Sequence, residues 1–67
     1  MTLRELRESK SLTQLEVAIK LGITPNTVGN WERGTQEPRF SQVPALAELY
    51  GVTIQDIYEA VKKSKQS

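Results

Sequence analysis

The stretch TQLEVAIKLGITPNTVGNWERG, Thr13 to Gly34, decides the fold of this chain. It opens on a threonine with a glutamate three residues later. Thr13 can accept a hydrogen bond from the Glu16 backbone while the Glu16 carboxylate reaches back to the Thr13 N–H, the reciprocal capping box that starts a helix. Val17, Ala18 and Leu21 then recur at spacings of three and four, the period of one helical face. Gly22 follows and can close the helix in a left-handed conformation. After Ile23, Thr24 can cap a second helix whose first residue is Pro25, a position that needs no N–H. Val28 and Trp31 form its apolar face, and Gly34 ends it. The connector Gly22-Ile23-Thr24 is so short that the two helices must cross steeply and share one core. Ala18 is small where they approach.

The same punctuation extends outward. Thr2 precedes Glu5 and Thr53 precedes Asp56 at the same spacing, although the shorter Asp56 is expected to reach back less well. Ser41 is the candidate cap of a segment with Pro44 in its first turn, and Gly51 is its stop. The result is five helices, about 2–10, 14–21, 25–33, 42–50 and 54–62. Apolar pairs flank three of the caps: Leu12 with Val17, Ile23 with Val28, and Val52 with Ile57. They have the spacing of hydrophobic staples. No strand-like alternation is present. The fold class is all-α, one compact five-helix domain over residues 1–62, with a polar tail at 63–67 expected to fray. Tyr50 and Tyr58 are expected to be half-buried packing residues.

Composition removes whole classes of function. The chain has 67 residues and neither cysteine nor histidine. Disulfides, thiolate or histidine metal sites and Cys/His nucleophile pairs are excluded. No phosphate-binding glycine loop or cofactor motif is visible, and Glu5, Glu16 and Asp56 belong to caps, so an enzyme is rejected and no cofactor is expected. Without disulfides the expected location is cytoplasmic. No signal peptide is expected behind Met1, and no run approaches the ~20 apolar residues of a membrane span. The net charge is only +1, so any affinity for an anionic partner must come from local placement of charge.

The third helix carries the functional signal. With Val28 and Trp31 turned inward, its outer face presents Pro25, Asn26, Thr27, Asn30 and Arg33, with no large apolar residue. Asn26 and Asn30 are one turn apart, and asparagine pairs bidentately with adenine in the major groove of double-stranded DNA. Thr27 suits a thymine methyl or a phosphate. Taken alone this face is equally a solvated one, and Arg33 is equally a charge favoured by the helix C-terminus. Gly29 is odd, because a mid-helix glycine costs ~1 kcal/mol relative to alanine; a close approach by something is one reason for it.

Here the chain resembles the phage repressor and Cro type of helix-turn-helix domain, often called XRE-like. Residues 3 to 61 carry the resemblance, through Gln14, Val17, Ala18, Leu21, Gly22, Ile23, Val28 and Trp31, with Trp31-Glu32-Arg33-Gly34 followed by Pro38. It implies a lambda-repressor-like fold and sequence-specific DNA binding as a small transcriptional regulator, most simply a repressor. It implies that Gln14 contacts a phosphate and braces the third helix. It places Thr24, Asn26, Thr27 and Asn30 against bases or backbone. It pairs Arg7 with Glu32 as a structural salt bridge, and it brings Arg39 to the DNA backbone or minor groove. Pro25 departs from the pattern, standing where relatives often have a base-reading glutamine.

The last helix carries Ile54, Ile57, Tyr58 and Val61. Part of that face must serve the core, and any remainder would be an exposed apolar patch of the kind that marks interfaces. These four residues are the expected homodimer contact on a palindromic operator, whose half-sites lie ~34–36 Å apart. The alternative is a partner-binding module of the same fold, an antitoxin facing a toxin or a regulator facing a protein antagonist.

Overall fold

Each threonine start forms by the local chemistry its sequence dictates. In the computed structural model, which describes residues 1–66, the elements are α1 (Leu3–Ser9), α2 (Gln14–Leu21), α3 (Pro25–Arg33), a 3₁₀ turn (Phe40–Gln42), α4 (Val43–Tyr50) and α5 (Ile54–Lys65). Thr2, Thr13 and Thr53 accept the N3 backbone N–H at 3.2, 3.0 and 3.0 Å. The carboxylates of Glu5, Glu16 and Asp56 accept in return at 2.7, 2.9 and 3.1 Å. Asp56 therefore closes its box after all: the extended backbone at Thr53 brings the N–H within reach of the shorter arm, at a slightly longer distance. Thr24 caps α3 through Thr27 N at 3.3 Å, with Pro25 in the first turn.

Two boundaries differ from the sequence reading. Ser41 does not cap α4; it lies inside the 3₁₀ turn, and Gln42, the residue at the cap position, makes no side-chain cap bond. The Val43 N–H bonds back to Phe40 O, so the turn itself supplies the acceptor a cap would provide. At the other end of the chain α5 runs to Lys65, three residues past the expected end at 62, so most of the supposed tail is helical. Ser67 lies outside the described residues. A third boundary had no glycine signal: α1 stops because Ser11 takes a left-handed conformation (φ 57°), with Leu12 N bonding back to Arg7 O at 3.3 Å.

The core draws on every helix. Leu3 and Leu6 of α1, Val17 and Ala18 of α2, Val28 and Trp31 of α3, and Val43, Leu46, Ala47 and Tyr50 of α4 are buried. Ile57, Ala60 and Val61 of α5 join them. Leu12, Ile23 and Val52, the leading members of the expected staples, pack against this cluster from partly buried positions. The central element is α5, which packs on α1, α3 and α4. This corrects the expectation for its apolar face: Ile57 is fully buried and Val61 nearly so, and only Ile54 and Tyr58 remain exposed, at 45% and 39%.

The last turn of α5 ties the chain ends together. Ser64 is buried; its Oγ donates to Ala60 O at 2.8 Å and accepts the Leu3 N–H at 3.1 Å. Leu3 opens α1, where backbone N–H groups have no partner inside their own helix. Ser64→Ala is therefore expected to lower stability by about 1–3 kcal/mol, the cost of leaving a buried donor unmade. Urea unfolding measures it, and an unchanged midpoint would show that water satisfies Leu3 instead.

Candidate nucleic-acid interface

α3 is gripped along one side and open along the other. Val28, Gly29 and Trp31 are buried, and α2, α5 and α1 all pack against the helix. The residues between them point outward: Pro25, Asn26 and Arg33 are exposed, as is the capping Thr24, while Thr27 and Asn30 are half-buried. The Thr24 and Thr27 hydroxyls lie 3.0 Å apart, so the first turn of α3 holds its own polar groups in place.

A part-buried ion pair between α1 and α3 fixes the rotation of this helix. Arg7 of α1 donates to both oxygens of Glu32, Nε at 2.7 Å and Nη2 at 3.1 Å, a bidentate fork. Its Nη1 donates to Leu12 O at 2.9 Å, so the guanidinium also holds the α1–α2 turn. The two side chains are only 12% and 6% exposed. The Glu32 hydrogen bonds raise the Arg7 pKa above its ordinary value, so the guanidinium stays charged. The Tyr50 phenol, whose pKa is pushed up to about 12 by burial and by the Glu32 charge, stays neutral beside it.

Gln14, at the start of α2, joins the same network. Its Nε2 donates to Glu32 Oε1 at 3.1 Å, which aims the amide and leaves its oxygen and a second N–H available. Gly29 faces this network. A Cβ at that position would stand 3.1 Å from the Arg33 guanidinium, the far end of a flexible side chain, and in ordinary contact with Gln14 Nε2 at 3.6 Å. Glycine lets Arg33 lie a few tenths of an ångström closer to α3, while Gln14 does not require it. Arg4, Arg7, Gln14, Glu32 and Arg33 surround a shallow concavity of about 320 Å³ on this flank.

The opposite flank holds a larger concavity of about 690 Å³, lined by Ile23, Thr27, Trp31, Gln36, Arg39 and Gln42 among others. Arg39 is exposed, its backbone N–H bonded to Gln42 Oε1 at 2.8 Å. Gln36 is a polar residue of this flank that the sequence reading missed. The chain folds back after Gly34, so the Gln36 N–H reaches Asn30 O at 3.3 Å and its side-chain oxygen accepts from Asn30 Nδ2 at 3.2 Å. The only signal in the sequence was its distance of two residues past a helix-ending glycine. Phe40, 84% exposed, and Leu15 and Ile19 on α2, 57% and 70% exposed, were also not singled out.

The expected site residues thus fall into three groups. Gln14 and Arg33 meet on one flank of α3; Thr27 and Arg39 share the other; Thr24, Pro25, Asn26 and Asn30 lie along the helix between them. The face can present amide donors and acceptors to base edges, with cations to either side for phosphates. Among the described residues no helix is long and apolar enough to cross a membrane, and no cluster of acids could hold a metal ion.

Comparison with known proteins gives matches of one kind. Residues 3–57 match the family model described as helix-turn-helix. The chain is 42% identical over 55 residues to the cryptic phage CTXphi transcriptional repressor RstR of Vibrio cholerae, covering 82% of this chain and 50% of that protein. It is 33% identical over 60 residues to the HTH-type transcriptional regulator DdrOP3 of Deinococcus deserti, covering 90% and 46%. It is 34% identical over 56 residues to the uncharacterized HTH-type transcriptional regulator MJ0272 of Methanocaldococcus jannaschii, covering 84% and 85%. The chain spans about half the length of the first two. No solved structure matches it.

Proposed function

This chain belongs to the helix-turn-helix family, and on that basis we propose that it is a transcriptional regulator, acting as a repressor, that inserts α3 into the major groove of double-stranded DNA. The observation that carries the reading is the polar outer face of α3, held in one rotation by the Arg7–Glu32–Gln14 network. Asn26 and Thr27 meet base edges, while Gln14, Arg33 and Arg39 meet phosphates on either side. Repression follows from steric exclusion of polymerase at the occupied site, the mode that needs nothing beyond binding. The partner is a cytoplasmic operator, read by a homodimer with one α3 in each half-site. Ile54 and Tyr58 supply the exposed contact of α5 for that dimer.

The test is selection of bound sequences from a random duplex pool at physiological salt. Enrichment of a palindrome with half-site centres one turn apart, ~34–36 Å, is the expected result. Asn26→Ala should then lose about 1–3 kcal/mol on the selected site and relax one base position. Gln14→Ala should weaken binding evenly across sequences and leave its salt dependence unchanged, because a neutral amide releases no counterion. Failure to enrich any sequence would overturn the reading. A second reading, a partner-binding module, draws on one specific observation: Leu15 and Ile19 stand exposed one turn apart on α2. Failure to enrich DNA together with loss of a co-purifying partner in Leu15→Glu would favour it.

A further inference from the structure

Asn30 is the expected adenine reader, yet in the folded chain both ends of its amide are engaged. Its Oδ1 accepts from Arg33 Nη2, and its Nδ2 donates to Gln36 Oε1 at 3.2 Å. The backbone keeps these partners in register: Asn30 O accepts from Thr35 N at 3.0 Å, from Gln36 N at 3.3 Å and from the Thr35 hydroxyl at 3.2 Å. A guanidinium only donates. Arg33 therefore dictates that the oxygen end of the Asn30 amide faces it, and the nitrogen end is left for Gln36. That nitrogen also only donates, so Gln36 must turn its own oxygen toward Asn30. The Gln36 Nε2 is left facing away, and among the described residues it donates to no protein atom. Gln36 is exposed and lines the concavity beside α3 with Thr27 and Arg39.

We propose that Arg33, Asn30 and Gln36 form a polarity relay in which Gln36 reads the DNA base and the other two set which end of its amide is offered. The relay deepens the DNA-binding reading and rests on it. Asn30 becomes a positioning residue, and Gln36 becomes a specificity-determining donor. Directed at the 6-position of a purine or the 4-position of a pyrimidine, a donor selects the keto bases, guanine with O6 or thymine with O4, whereas purine N7 accepts in guanine and adenine alike. Adenine and cytosine present amines at the corresponding positions and would meet donor with donor.

The experiment compares sequences selected by the unaltered protein and by Arg33→Lys, Arg33→Glu and Gln36→Leu. The unaltered protein is expected to prefer keto bases at one position by roughly tenfold, and Gln36→Leu to lose that preference there alone. Arg33→Lys also only donates, so it retains the preference. Arg33→Glu only accepts, so the relay reverses and Gln36 offers its oxygen. The preference at that position then moves to adenine or cytosine, while overall affinity falls with the lost positive charge. A keto preference unchanged in Arg33→Glu, or none that Gln36→Leu relaxes, overturns the relay and leaves the DNA reading standing. If the unaltered protein selects nothing, the DNA reading has failed and the base-reading role of Gln36 with it, and NMR of the free protein decides whether the hydrogen-bond relay itself forms. One Asn30 side-chain amide proton exchanging slower than the other, and losing that protection in Gln36→Leu, supports it; equal exchange overturns it.

Discussion

Gly34→Ala is expected to remove most of the stability of this domain. Gly34 ends α3 in the left-handed region, φ 81°, where any side chain costs about 1–2 kcal/mol. The larger penalty is steric. A Cβ at Gly34 would stand 2.8 Å from Ser64 O and 2.9 Å from Lys65 Cα, atoms of the α5 backbone that cannot rotate away. Relief requires lifting the end of α5 off α3. That would stretch the Ser64 bond to Leu3 and the salt bridge between Lys65 and Glu37. Overpacking of this kind costs about 1–3 kcal/mol more, for a total of about 2–5 kcal/mol. A domain of this size has only about 3–5 kcal/mol from its core. Gly22→Ala is the control. Its φ is 70°, but nothing lies within 4 Å of the added carbon, so it should show the backbone cost alone. Urea unfolding of both variants makes the comparison. Equal losses would mean that α5 yields freely at its end.

Glu32→Ala has the other large expected effect. Glu32 accepts three hydrogen bonds, two from Arg7 and one from Gln14. Its removal leaves the part-buried Arg7 guanidinium without its bonded counter-charge; breaking a fully buried pair in this way costs about 3–5 kcal/mol, and the partial exposure here sets the expected loss at the lower end, about 3 kcal/mol. Arg7→Met should be comparably harmful, because it strands a carboxylate that is only 6% exposed. The double variant Arg7→Met with Glu32→Leu should recover most of the loss, because both desolvated charges are gone. Its DNA affinity should not recover to the same extent. Gln14 has then lost the acceptor that aims its amide, and α3 has lost the pair that sets its rotation. A double-mutant cycle on stability, with DNA affinity measured on the same proteins, separates the two roles. Additive losses in the double variant would mean that the two side chains act independently.

Ser64 and Gln36 illustrate where sequence reading stops. Ser64 sits among lysines and reads as solvated tail, yet it is as buried as the aliphatic core. Its partner, the Leu3 N–H, is 61 residues away, and no pattern near residue 64 reveals it. Gln36 lies in a loop whose direction depends on the left-handed turn at Gly34. Ile57 and Val61 failed in the opposite direction. Their spacing marks an apolar face correctly, but spacing cannot say whether that face meets another helix of the same chain or a second copy.

What the sequence by itself determined is everything governed by contacts within one turn of helix. The capping boxes at Thr2 and Thr13, the threonine cap at Thr53, the proline start of α3, the glycine stops and the inward faces of α2 and α3 all follow from side chains three or four residues apart. Those interactions are local, so their energies are legible in the order of residues. The polar outer face of α3 follows as the complement of its core face. Only the tertiary structure decided that α5 is central and reaches Lys65, and that Asn30 is already bonded to Arg33 and Gln36. Apart from the Asn30–Arg33 bond within α3, these contacts join separate elements, and their energies exist only once the chain has brought those elements together.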